Sequence, residues 1–136
     1  MRENFDKSIN VLFRIEGYES NNPVDKGGYT KYGLASRYHT DIDFEKLTRE
    51  KAVEIYRERY WKLLKCDELE YPIDMVLFVQ GVHLGVGRAR QYMEESSGLT
   101  DFFMKSLKHY CTRDEEQRRV FLYGWCNRLL KLWEAI

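Results

Sequence analysis

Proline is scarce in this chain: Pro23 and Pro72 are the only two in 136 residues. Neither a proline-rich linker nor any other low-complexity segment is present, and long stretches are free to be helical. Cysteine is also sparse and odd in number. Cys66, Cys111 and Cys126 form no C-x-x-C pair, which excludes a disulfide framework and predicts three reduced thiols in a protein made in the cytoplasm. His39, His83 and His109 are the only histidines, and no spacing joins them to the cysteines as a zinc set, so no metal is expected. Charge of one sign is missing too. Lysine plus arginine and aspartate plus glutamate stand at 22 each. That balance gives no electrostatic case for a nucleic acid or an anionic membrane as partner. No apolar run is long enough to span a bilayer, and Met1 to Asp6 lacks the apolar core of a signal peptide.

What is present is aromatic and helical. Ten Tyr, seven Phe and three Trp fit either a packed core or a groove for stacking on a polymer such as a glycan. The length suits one compact domain. Apolar periodicity predicts helices over about 3–16, 49–64, 73–84, 88–97, 100–110 and 113–135. Thr48 is the expected N-cap of the second helix, with Leu47 and Ala52 as its hydrophobic staple. Gly98 is expected to close the fourth helix, and Thr112 with Glu115 resembles a capping box for the last. Ala52, Ile55, Tyr56, Tyr60 and Leu63 form the expected buried face of the second helix. Residues 17–47 hold four of the nine glycines and read as a long irregular segment, the kind that carries function. A short hairpin fits near Gly27-Gly28, with strand character from Tyr29 to Leu34. Pro72 divides a loop-rich first part, 1–71, from an all-helical second part, 72–136; the two are expected to pack as one unit.

Glu16 is the anomaly in this pattern. Phe5, Ile9, Leu12 and Phe13 precede it at helical spacing, and it falls on the same apolar stripe. Gly17 then ends the helix, so the carboxyl stands at the negative end of the helix dipole. Apolar surroundings and that dipole both predict a raised pKa, which suits a general acid; a snorkelling helix-end glutamate is the alternative. Glycoside hydrolysis pairs such an acid with a second carboxylate, for which Asp25 and Glu19 are the nearby candidates. Asp25 precedes Gly27-Gly28, where backbone can approach a bulky substrate, but it also fits a plain turn. Thr30 could position a water. Tyr56 and Tyr60 share a helix face and are read as core, while Trp61 could flank a sugar groove. His83 reads as a core histidine, Trp125 as a packing residue and Arg128 as a capping or ion-pairing one.

The stretch from Glu16 to Leu34 resembles the signature of glycoside hydrolase family 108, the Glu-Gly-Gly-Tyr endolysins and N-acetylmuramidases. Glu16-Gly17, Asn21, Pro23, Asp25, Gly27-Gly28, Thr30 and Tyr32-Gly33-Leu34 match it in register without a gap. Ile55 to Trp61 is similar to that family's Ile-Tyr…Tyr-Trp helix. Gly85 to Ala89 and Gly124 to Arg128 resemble the helical peptidoglycan-binding region that usually follows, here shortened around 97–112. The chain departs from the signature at Tyr18 and Glu19, and carries Val79 and His83 where the family often has Asp and Asn. The order Glu, eight residues, Asp, then Thr is also similar to phage lysozymes of the T4 type.

The resemblance implies a mainly α, lysozyme-like domain that cleaves the peptidoglycan glycan strand. Glu16 would be the acid, Asp25 its partner and Thr30 a positioning group; Gly27, Gly28, Tyr32, Tyr56 and Trp61 would line the substrate. It implies no cofactor, and a monomer made without a signal peptide that reaches the wall through a holin-like pore. A non-catalytic wall-binding module and a lytic transglycosylase are the competing expectations. A carboxyl separation near 5 Å would give retention, and roughly 6.5–9.5 Å inversion.

Overall fold

The core is built around one helix that has almost no polar face. Residues Ile73–Leu84 (α3) bury Met75 through Gly81 without interruption, so neighbours must cover the helix on all sides. In the computed structural model, which describes residues 2–16, 19–21 and 29–136 (backbone alone for 2, 3 and 19–21), those neighbours are helices arranged about it. They are α1 (Arg2–Glu16), α2 (Arg49–Tyr56), α4 (Val86–Glu95), α5 (Leu99–Cys111) and α6 (Glu115–Glu134). Beside them lies a three-stranded antiparallel sheet of β1 (Glu19–Asn21), β2 (Tyr29–Lys31) and β3 (Leu34–Ala35), in the order β1-β2-β3.

Phe5 of α1 and Phe78 of α3 meet Trp61 in an edge-to-face triangle. Its centroid separations are 5.3 Å (Phe5–Trp61), 5.8 Å (Phe5–Phe78) and 5.5 Å (Trp61–Phe78). Each such ring contributes about 1.5–3 kcal/mol by leaving water. Asn4 donates to Asp74 at 2.8 Å near the start of both helices, and Glu16 meets His83 near their ends. The two helices therefore run side by side in the same direction, and both C-termini arrive at one place.

The second helix departs from the expected straight run. Its α-helical part stops at Tyr56, and Arg57–Trp61 forms a wider turn in which Lys62 N–H reaches back five residues to the Arg57 carbonyl. In an uninterrupted α-helix Trp61 would lie about 140° around the axis from Tyr56. The extra residue in the turn closes that angle and seats both in the core. The buried face therefore continues through Trp61 and Leu64, and Leu63, expected inside, is 55% exposed.

Thr48 caps α2 as expected, accepting from Lys51 N–H at 3.2 Å. The capping box at Thr112 does not form. Its hydroxyl turns back to the Lys108 and His109 carbonyls, and Asp114 caps α6 by accepting from Gln117 N–H. Gly98 does not close α4 either: that helix ends at Glu95 with Ser96 as its cap, and Gly98 stands at the head of α5. Cys66, Cys111 and Cys126 are free, and burial pushes the Cys66 thiol up to about 12, which leaves it inert.

Candidate active site

Glu16 ends α1 beside the last turn of α3, and its carboxyl is almost entirely out of water, at 13% exposure. Oε1 is in direct contact with Nε2 of His83, whose side chain is 7% exposed. From the other side α6 brings the Arg128 guanidinium within 3.7 Å of the same oxygen. The β2–β3 hairpin closes over the carboxyl's stem. Tyr32 and Gly33 form its two-residue turn, with φ of +51° and +79°, the positive pair that a type I′ turn requires. A Cβ on Gly33 would stand 2.6 Å from the Tyr56 hydroxyl and 3.4 Å from Glu16 Cβ and Cγ. Glycine is thus required twice, by conformation and by space.

Burial pushes the Glu16 pKa up, as expected from its apolar stripe. The contact with His83 and the Arg128 charge outweigh that push, and the net direction is down from 4.5. The expectation of a raised pKa is therefore corrected. It considered only the carboxyl's own helix, whereas the groups that oppose burial come from α3 and α6.

His83 lines an open groove of about 880 Å³, and Glu16 touches its ring. It is lined by Gln117, Phe121, Trp125 and Arg128 of α6, by His39, Arg59 and Tyr60, and by the α3–α4 corner and α5. Gly85 makes that corner at φ +90°, so α4 starts two residues after α3 ends. The His39 side is held by a fixed network. Arg59 forks onto Asp41 and donates to His39 Nδ1 at 2.8 Å. A guanidinium can only donate, so Nδ1 accepts and Nε2–H donates to Tyr60 Oη at 3.1 Å. Burial and the Arg59 charge lower the His39 pKa, consistent with a neutral ring.

Several expected site residues take other places. Trp61 is fully buried and its indole N–H donates to Asp67 at 3.0 Å, so it flanks no groove. Tyr56 is also fully buried, and its hydroxyl donates to the Tyr32 carbonyl at 2.8 Å; it supports the hairpin and does not touch substrate. The Trp61 correction follows from the wide turn, which seats that side chain in the core; Tyr56 precedes the turn, on the buried face expected from the sequence. Tyr32 packs against Phe13 at 6.4 Å, away from the groove. Thr30 sits in β2 opposite Ser20 and Ala35. Glu19 is in β1, paired with Lys31. Asp25, Gly27 and Gly28 lie outside the described residues. Conversely, His83, Arg128 and Trp125, read from the sequence as structural, stand at the groove. An i, i+4 pattern could not reveal them, because each comes from a helix distant in sequence from Glu16. Among the described residues no group of three His, Cys, Asp or Glu side chains could hold a metal ion.

With this geometry in place, the comparisons decide the family. The model described as Glycosyl hydrolase 108 matches residues 9–85, more than half of the chain. The chain belongs to glycosyl hydrolase family 108. It is thus a glycosyl hydrolase, and the family match runs from α1 through α3, taking in both Glu16 and His83. A solved structure, that of Brucella abortus SagA, superposes with a TM-score of 0.84 at 22% identity, over 99% of this chain and 95% of that one. At that identity the likeness speaks for the fold, a mainly helical single domain. No curated protein matches the chain.

Proposed function

We propose that this family 108 hydrolase is an N-acetylmuramidase that cuts the glycan strand of bacterial peptidoglycan, with Glu16 as general acid. The observation that carries the proposal is a buried carboxylate, held between two helix ends and in contact with His83, which lines a groove large enough for sugars. An acid whose pKa is lowered needs a proton supply, and His83 in contact with it provides one. Glu16 carries the transferred proton when it acts. The glycosidic oxygen takes it from Glu16 as the bond to the anomeric carbon breaks, and the growing oxocarbenium charge is met by a second carboxylate. Asp25, with Glu19 as the alternative, is the residue proposed for that role, on the strength of its place in the family signature. Thr30 would position the water, and the site of action would be the bacterial cell wall.

A zymogram on purified peptidoglycan tests this. Wild type should clear the substrate, and Glu16→Gln should lose about 10²–10⁴-fold in rate, the usual share of a general acid. Clearing by Glu16→Gln at the wild-type rate overturns the assignment. Retained binding with no clearing by wild type identifies a wall-binding module instead. One observation favours a second reading: among the described residues no aspartate or glutamate lines the groove to serve as a partner for Glu16, and a lytic transglycosylase needs only one carboxylate. Mass spectrometry of the released fragments separates the two, since hydrolysis leaves reducing ends and transglycosylation leaves 1,6-anhydro ends.

A further inference from the structure

The chain as a whole is electrically balanced, but its groove is not. Arginines 59, 88, 113 and 128 all line it, and among the described residues it has no aspartate or glutamate at its surface. Arg59 is neutralised by Asp41, and Arg128 faces Glu16. Arg88 and Arg113 are different. Arg88 is exposed and its one hydrogen bond goes to the Leu84 carbonyl at 3.4 Å. Arg113 gives Nε and Nη2 to the neutral Gln117 Oε1, at 3.1 and 2.8 Å. Neither meets a carboxylate among the described residues. Both act on the same spot: together with burial, their charges drive the His109 pKa down to about 4. Beside them a run of three near-parallel rings follows the wall. Tyr110 and Trp125 are 5.5 Å apart at 23°, and Trp125 and Phe121 5.7 Å apart at 29°. Trp125 and Phe121 remain partly exposed. Flat apolar faces accept sugar rings, and two guanidiniums without carboxylates accept an anion.

We propose that Arg88 and Arg113 form an anion site for the carboxylates carried on the lactyl arm of N-acetylmuramic acid, with Phe121 and Trp125 as the adjoining sugar platform. This rests on the muramidase reading and deepens it. The groove distinguishes muramoyl glycans from neutral N-acetylglucosamine polymers by charge, at a distance from the reacting bond. The carboxylate has two sources, the free lactyl group of a stripped glycan or the acidic residues of a stem peptide. Both present the same planar acceptor to a guanidinium fork.

The test is equilibrium binding to the Glu16→Gln variant, which prevents turnover, with three hexasaccharides: stem-bearing peptidoglycan, the same glycan stripped by an amidase, and the neutral N-acetylglucosamine hexamer. At low salt one or both acidic probes should bind about tenfold more tightly than the neutral one. Whichever does so identifies the source. The advantage should shrink as salt rises. Arg88→Gln and Arg113→Gln should each reduce the ratio of acidic to neutral affinity, and Arg113→Lys should keep part of it. Phe121→Ala should weaken all three probes alike. In the parent variant, bound acidic glycan should also move the His109 titration upward. Equal affinity for all three probes, or a ratio unmoved by both glutamine variants, overturns the proposal. The ratio is independent of the zymogram, so loss of charge discrimination and loss of muramidase activity are separate results.

Discussion

Replacing Gly33 with alanine should unsettle the acid by way of its stem. Two costs add. Alanine at φ +79° pays roughly 1–2 kcal/mol for the left-handed conformation. Its Cβ would also lie 2.6 Å from the Tyr56 hydroxyl, closer than any real contact, so the buried phenol must move. Moving it breaks the hydrogen bond to the Tyr32 carbonyl and leaves buried groups unpaired, which costs about 1–3 kcal/mol more. The expected destabilisation is about 2–5 kcal/mol, read from urea midpoints at constant m. The added Cβ also stands 3.4 Å from Glu16 Cβ and Cγ, so any shift that relieves the Tyr56 clash carries to the acid's stem and the muralytic rate of the folded fraction should fall as well. The decisive measurement is a double-mutant cycle with Tyr56→Phe. Without the hydroxyl, Gly33→Ala should cost only the conformational part, a coupling of about 1–3 kcal/mol. Additive costs would refute the account, because they would mean that the hydroxyl never limited the space at residue 33.

Other outcomes follow from the same site and core. His83→Gln removes the leading stabiliser of the ionised Glu16 carboxyl; burial then has only Arg128 against it, so the alkaline limb of the rate profile should move to higher pH, and an unmoved limb would separate His83 from the acid. Because Glu16 is held below its ordinary 4.5, its contribution to stability is complete above that pH and is lost as pH falls through the lowered folded value. His109 behaves in the same direction in a higher window. Its ordinary value of 6.5 is lowered to about 4, so the folded protein stays unprotonated where the unfolded chain binds a proton, and stability should decline from pH 6.5 toward 4. In His109→Gln that part of the decline should be absent, measured as the difference between urea midpoints at the two ends of the window. Trp61→Ala should cost about 3–5 kcal/mol, as expected of a buried ring in an aromatic triangle. Thermal melts would test this, and a loss under about 1 kcal/mol would return Trp61 to the surface.

Much of the helical layout is legible because apolar periodicity is a local property. The boundaries of α1 and α3 follow from residues within a turn of each other, as does the Thr48 cap. The failures are local rules defeated by a neighbour. Thr112 finds two carbonyls of the preceding helix before it finds an N–H to accept from, and Asp114 takes the cap. Trp61 is misplaced because a single five-residue turn rotates everything after it, and no residue type announces such a turn. Glu16 is visible as an anomaly, but the direction of its pKa is not. Its own helix supplies burial and an unfavourable dipole, whereas the opposing groups arrive from residues 83 and 128.

By itself the sequence determined that this chain is a mainly helical single domain, that Glu16 is the carboxylate out of place, and that residues 16–34 carry a hydrolase signature. Each of these is written in adjacent residues or in a repeat of three to four. Tertiary structure alone decided that His83 and Arg128 face that carboxylate, that Trp61 belongs to the core, and that the groove is lined by arginine on an electrically balanced protein. The physical reason is range. Helix formation is settled within a turn, but burial, charge pairing and the sign of a pKa shift depend on which distant segments the packing of α3 brings together.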